Sequence, residues 1–320
     1  MADQSGCRHI PVMREAVMEL LACRPRGLYV DGTVGGGGYA ESILQRSEPD
    51  GILVALDWDD EAIERVRQRL RAYQNRVFLE KSSFADLPSI LDKLGFGLES
   101  VDGVVLDLGV SSFQLEDPDR GLSFLQDGPL DMRMDRSLPK TASDLVNFLP
   151  ESELADLIFG LGEERYARRI AKAIVSRRKL NPIRRTLEFA KLIAEVVPKT
   201  RDSRRIHPAT RTFQALRIAV NRDLEALQVF LSRALDVLKP GGRLCIVAFH
   251  SLEDRMVKEK FRHWSKSCRC PQDILKCECE GRPLVRLLTK KPLRPTAEEI
   301  EVNPRARSAR VRALEKMNYA

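Results

Sequence analysis

The stretch Leu28-Tyr-Val-Asp-Gly-Thr-Val-Gly-Gly-Gly-Gly-Tyr39 constrains the fold of this 320-residue chain more than any other. It reads as a buried strand over 28–31, a glycine-rich turn, and a helix beginning at Tyr39. Consecutive glycines at Gly35 to Gly38 let the backbone take positive φ and pass close to a ligand. The helix behind them offers unpaired N–H groups at its positive end. Turns of this kind serve many nucleotide ligands, so the glycines alone leave the ligand open.

The next unit narrows the choice. Gly51-Ile-Leu-Val-Ala-Leu-Asp57 is an apolar run ending in an acid, followed by a helical pattern from Asp60 to Tyr73. An acid ending the second strand of a doubly wound sheet sits beside a ribose and accepts from its hydroxyls. Capping the following helix is the other use for an acid here, and Asp59 or Asp60 can supply that. Further strands are expected at 77–80 and 101–107, giving strand–helix alternation and parallel pairing. The alternation then stops. Residues 142–148, 151–160, 164–179 and 186–197 read as helices, with Thr186 as a cap of the last. The sheet pattern resumes with one helix over 209–238 and strands at 243–249, 284–289 and 307–314. The fold class is therefore α/β, a doubly wound Rossmann-like sheet over 1–112 and 207–320, carrying a helical insertion over 113–206.

The glycine spacing separates two enzyme classes that share this layout. Dinucleotide folds use G-x-G-x-x-G. Here Asp31-x-Thr33-x-Gly35-x-Gly37 follows the D-x-G-x-G-x-G of class I S-adenosylmethionine methyltransferases, with Thr33 where the first glycine usually stands. Val237-Leu-Lys-Pro-Gly-Gly-Arg-Leu-Cys-Ile-Val-Ala-Phe249 resembles the entry to the fifth strand of those enzymes.

Composition excludes other classes. A hydrophobic fraction of 43% and a charged fraction of 31% fit an ordinary globular protein. No apolar run approaches the roughly 18 residues of a membrane span. The first residues lack the apolar core of a signal peptide, so a cytoplasmic protein without a membrane partner is expected. The net charge of +7 is unevenly spread: residues 163–222 hold 17 Lys or Arg against 5 Asp or Glu, leaving the remainder at −5. Such concentration is the footprint of a polyanion-binding face.

Several residues could carry chemistry. Asp107 ends the fourth strand, where open α/β sheets place their ligands; it could instead cap the turn through Gly109. A carboxylate there could accept the N–H hydrogens of a base amine and orient its lone pair toward a methyl donor. His250 and Ser251 follow the fifth strand as further catalytic candidates, and Glu253 could support the next helix. Arg133, Arg168, Arg169 and Arg211 are candidate phosphate contacts. Phe213 could stack on an extruded base or serve as helix core. Cys268, Cys270, Cys277 and Cys279 form two C-x-C pairs, tighter than usual zinc spacing, that could hold a structural zinc ion. Cys7, Cys23 and Cys245 are scattered and read as isolated thiols.

Taken together, these stretches resemble the ribosomal RNA small subunit methyltransferase H family, also called MraW. The likeness runs through His9-Ile-Pro-Val-Met, the glycine turn, Asp107-Leu-Gly-Val-Ser-Ser, Asp127-Gly-Pro-Leu-Asp-Met-Arg-Met-Asp, Gly162-Glu-Glu-Arg-Tyr-Ala, His207-Pro-Ala-Thr-Arg-Thr-Phe-Gln-Ala, Phe249-His-Ser-Leu-Glu-Asp-Arg and Asn303-Pro-Arg-Ala-Arg-Ser. The resemblance implies methyl transfer from S-adenosylmethionine to N4 of cytosine 1402 in 16S rRNA, with the small ribosomal subunit as partner. It also implies cofactor contacts at Gly37, Gly38, Tyr39, Asp57, Phe84, Asp107 and Gln114; Phe84 and Gln114 rest on the resemblance alone. Tyr39 stands where His is common. The expected mechanism is direct in-line transfer without a covalent intermediate. A DNA amino-methyltransferase would carry D/N/S-P-P-Y/F where this chain has Asp107-Leu-Gly-Val, so DNA is not an expected partner. A non-catalytic rRNA-binding assembly factor would keep the basic face yet need neither Asp57 nor the glycine turn.

Overall fold

The computed structural model describes residues 11–198, 207–268 and 281–319. Two compact units divide the chain: a sheet unit of Met1–Gly109 with Leu224–Ala320, and a helical unit of Val110–Asp223. In the first lobe of the sheet unit come α1 (Arg14–Leu21), β1 (Leu28–Asp31), α2 (Gly38–Arg46), β2 (Ile52–Asp57), α3 (Asp60–Arg69), β3 (Val77–Lys81), α4 (Leu87–Lys93) and β4 (Val101–Asp107). The helical unit supplies α5 (Ser112–Glu116), α6 (Ala142–Phe148), α7 (Glu151–Gly162), α8 (Ala167–Arg178), α9 (Thr186–Val196) and α10 (Thr210–Asn221). The chain returns through α11 (Asp223–Val237), β5 (Leu238–Ala248), α12 (Ser251–Trp264), β6 (Val285–Leu287), α13 (Ala297–Val302) and β7 (Arg310–Lys316).

These strands form one sheet in the order β3-β2-β1-β4-β5-β7-β6. Strands β1 to β5 are parallel to one another, as alternation with helices requires. The order reverses between β1 and β4, the point at which open α/β sheets place a ligand, beyond the carboxyl ends of those strands. Each central strand is apolar on both faces because both are covered. Val30, Val54, Leu56, Val104, Leu106 and Ile246 meet α4, α11 and α12. Tyr29, Leu53, Ala55, Val105 and Val247 meet α1, α2 and α3. This is the doubly wound α/β fold expected from the sequence.

Three expectations change. The last strands do not continue the parallel pattern: β7 runs antiparallel to both β5 and β6. The single helix expected over 209–238 is two, broken at Arg222, whose φ of 56° is left-handed. The two halves belong to different units, so the helical unit ends at Asp223 rather than at 206, and it begins at Val110 rather than 113. Thr186 does not cap α9; Arg185 holds that position. The fully buried Thr186 hydroxyl instead accepts from Gly128 N–H (3.0 Å) and donates to the Gln126 carbonyl (3.2 Å), pinning a distant loop.

The helical unit has a core of its own, built from Ile158, Ile170, Ile174, Phe189, Ile193, Phe213 and Leu216. Buried Asn221 ties the loop after α5 to α10. Its side-chain oxygen accepts from Met134 N–H (2.7 Å) and its amide donates to the Met132 carbonyl (2.9 Å). That explains the Met pair: both side chains are buried between these anchors.

Candidate active site

Acids stand at the carboxyl ends of three strands that lie side by side in the sheet. Asp31, Asp57 and Asp107 terminate β1, β2 and β4. The turn after Asp31 is fastened to both neighbouring strands. Gly32 N–H donates to the Val105 carbonyl (3.0 Å) and Val34 N–H to the Leu56 carbonyl (2.8 Å). Thr33, the departure from the glycine pattern, earns its place through its hydroxyl, which accepts from Asp107 N–H at 2.6 Å. It thereby fixes the end of β4 against the turn.

Gly37 caps α2 at φ 79°, a conformation that side chains rarely adopt. At Gly38 a Cβ would lie 2.1 Å from Pro11 Cγ, so the N-terminal segment packs directly on the turn. Gly35, also at positive φ, donates its N–H to Asp57 Oδ2 (2.8 Å), and Asp59 N–H donates to Asp57 Oδ1 (3.0 Å). Asp59, not Asp57, caps α3, accepting from Glu61 N–H. Asp57 is thus a strand-end acid held by two backbone donors. Tyr39 is buried on α2 and donates its hydroxyl to the Val12 carbonyl. Phe84 is buried in the sheet core, edge-on to Trp58 and Phe230 at 5.9 and 5.8 Å.

The electrostatics are unusual for a folded interior. Among the described residues no cation forms an ion pair with Asp31, Asp57 or Asp107. Burial pushes Asp31 up to about 7 and Asp57 up to about 6, in each case with a neighbouring acid adding to the effect. Asp107 is raised well above the carboxylate range by burial, then by repulsion from Asp31 and Glu253. Asp31 Oδ2 and Asp107 Oδ1 are buried without a hydrogen-bond partner. Buried acids left unpaired are costly, and they recur where a ligand completes them. The sequence reading omits Asp31 and Glu253 as site residues; Asp31 was visible as the first residue of its own turn motif.

His250 sits at the end of β5 as the N-cap of α12. Its Nδ1 accepts from Glu253 N–H (3.3 Å), and its Nε2 lies 3.1 Å from Glu253 Oε1. Both ring nitrogens are engaged, so His250 acts as a base only if this cap opens. Glu253 in turn accepts from Phe249 and His250 N–H (2.9 and 3.2 Å). Ser251, half-buried, is the first residue of the helix.

The remaining candidates among the described residues lie in the helical unit, apart from Cys268. Gln114 is buried in a capping box with Ser111. Arg133 turns inward on its own loop, paired with both oxygens of Asp131 (2.8 Å each) and donating to the Arg136 and Leu138 carbonyls. Arg211 donates to the Glu163 carbonyl at the end of α7 (3.1 Å). Phe213 is core, 4.7 Å from Phe124 and 5.5 Å from Phe189. Arg168, Arg169 and Lys172 are exposed on α8. Cys268 is exposed; Cys270, Cys277 and Cys279 lie outside the described residues, as do Arg201, Arg204 and Arg205 of the basic segment.

Residues 6–317 match the sequence profile of the MraW methylase family. The chain belongs to that family. It is 65% identical over 316 residues to a ribosomal RNA small subunit methyltransferase H of Syntrophobacter fumaroxidans, covering 99% of this chain and 98% of that protein. A protein of the same name from Geotalea uraniireducens is 50% identical over 313 residues, covering 98% of this chain and all of its own length. Among solved structures the chain is similar to a SAM-dependent O-methyltransferase from Thermotoga maritima. That likeness has a TM-score of 0.41 and 10% identity, over 96% of this chain and 65% of the other.

Proposed function

We propose that the protein transfers a methyl group from S-adenosylmethionine to N4 of a cytosine in small-subunit rRNA, the cytosine 1402 position of 16S rRNA. The observation that carries this reading is the pair of buried, unpartnered carboxylate oxygens on Asp31 and Asp107 in a methylase-family sheet. The relatives, which share half to two thirds of their residues with this chain, are named as small-subunit rRNA methyltransferases, and that supports the rRNA substrate.

The cleft fits S-adenosylmethionine. A ligand with a sulfonium and an ammonium charge neutralises acids that no side chain neutralises. Asp57 is the acid that would accept from the ribose hydroxyls, and the positive φ of Gly35 and Gly37 shapes the turn beside it. When bound, the cofactor supplies an electrophilic methyl group on sulfur. The protein supplies the rest. Asp107 Oδ1 accepts an N–H of the cytosine amine, turns its lone pair toward the methyl, and holds the proton that N4 sheds. Thr33 keeps Asp107 in place through its backbone. Glu253 and the His250 cap fix the opposite wall. The exposed cations of α8 hold RNA phosphates.

The test is methyl transfer from labelled S-adenosylmethionine to purified small ribosomal subunits, with the product nucleoside identified by mass spectrometry. N4-methylcytidine at one 16S position is the expected product. Label on any other base, or none with cofactor bound, would overturn the reading.

A further inference from the structure

Residues 282–312 carry nine Lys or Arg against three Glu, a net of +6, although the chain outside residues 163–222 is negative as a whole. The sheet gathers much of this charge at one place. Strand β7 runs against β5, so its first residues lie level with the carboxyl end of β5: Ala248 pairs with Arg310 and Val247 with Val311. The segment after β6 then folds beside them, with Leu293 and Val311 exchanging hydrogen bonds of 3.0 Å in each direction. One row therefore crosses the sheet from Asp107 to Val247, Val311 and Leu293. Three steps of about 4.8 Å put Leu293 roughly 14 Å from Asp107. An Arg side chain and a flanking nucleotide cover that span together.

Lys290, Lys291, Arg294, Arg305 and Arg307 are exposed at this edge. Arg310 and Arg312 behind them are committed to Asp254, at 3.0 and 2.6 Å. The carboxylates within this stretch are Glu298, Glu299 and Glu301 on α13, fewer than its cations, and Glu299 accepts from Met13 N–H. Charge on a sheet edge also guards against edge-to-edge pairing. That purpose is met along β6 by Arg286, which is paired with Glu315 (3.0 Å). Lys290 and Lys291 lie past the strand, at the level of the acids.

From this placement we infer a second phosphate-binding surface, formed by Lys290, Lys291, Arg294 and Arg307, on the sheet unit itself. It grips the RNA backbone next to the nucleotide presented to Asp107. The inference rests on the rRNA reading above and adds where the sheet unit holds its substrate.

The test uses the full-length protein carrying Lys290→Ala, Lys291→Ala and Arg294→Ala together, with small ribosomal subunits as probe. Binding is measured across salt concentrations, and S-adenosylmethionine binding and thermal melting are measured alongside. The expected result is a plot of log K against log salt that is shallower by about 2, from roughly 0.7 per lost phosphate contact on single strands. Cofactor affinity and melting stay at wild-type values, and Lys290→Arg with Lys291→Arg retains the wild-type slope. An unchanged slope in the triple variant, with the wild type binding and methylating subunits, overturns this inference alone. Failure of the wild type to bind subunits at all overturns the rRNA reading with it.

Discussion

Charge is handled in opposite ways in the two units. At the crevice of the sheet unit, acids are buried and left without cations. In the helical unit, cations abound, and the structure divides them into two groups. Arg178 donates to the Val146 and Leu149 carbonyls at 2.7 Å each, Arg177 pairs with Glu188, and Arg133 is wrapped in its own loop. Arg168, Arg169 and Lys172 stand in solvent. A buried unpaired acid identifies its missing partner by chemistry, because nothing else repays its burial. A solvated cation costs little and points to a polyanion only through the company it keeps.

The sharpest way to break the comparison is at Asp107. Asp107→Asn is expected to lower methyl transfer to small subunits by about 10²- to 10³-fold, the range for removing one well-placed polar group from a transition state. Wild-type turnover in that variant would leave the orphan oxygen without a role.

Titration gives the next largest effect. Burial raises Asp31 to about 7 and Asp57 to about 6. The sign follows from the folded state holding these protons more tightly than the unfolded chain. The stability they contribute is complete below the ordinary carboxylate pKa near 4 and is lost as pH climbs through 6 to 7. A cationic ligand reverses that loss by releasing the protons. Cofactor affinity is expected to rise between about pH 5 and 8, by up to tenfold per pH unit for each proton released, and then level off. Calorimetry in buffers of different ionisation heat measures the proton release directly. Affinity independent of pH would mean that the acids do not face the ligand's charge.

In the helical unit the two groups of arginines should behave differently. Replacing Arg168, Arg169 and Lys172 by Ala is expected to flatten the salt dependence of RNA binding by roughly 2 while leaving melting unchanged. Arg178→Ala should instead cost about 1–3 kcal/mol of stability by stripping two carbonyls of their donor. A shared outcome for both variants would erase the distinction. The smallest effect is expected at His250. Asn is a good cap, so His250→Asn should keep stability within about 0.5 kcal/mol, whereas His250→Ala should cost about 1 kcal/mol. Turnover in the Asn variant then reports whether the ring does anything besides capping.

Much of this was legible in the chain. Strands β1 and β2 match the sequence expectation residue for residue, because each apolar run ends in an acid that no other element could claim. The acids at positions 57 and 107 were readable for the same reason. The break at Arg222 was not, since Asn221-Arg222-Asp223 contains no glycine or proline and the helical periodicity runs through it. The direction of β7 leaves no mark in its own residues. His250 as a cap was invisible, histidine being outside the usual capping set. The strain of the acid cluster arises only when three strand ends, distant in sequence, are brought side by side.

The reversed last strand has a consequence for how the protein is made. The helical unit is complete once Asp223 has been synthesised, and its core draws on nothing later. The sheet cannot close then: β5 waits for β7 at residues 310–316, which slots in between β5 and β6. During translation the insertion can fold first, while its host domain holds an open sheet edge until some ninety more residues have emerged. Chaperone dependence is therefore expected of the sheet and not of the helices.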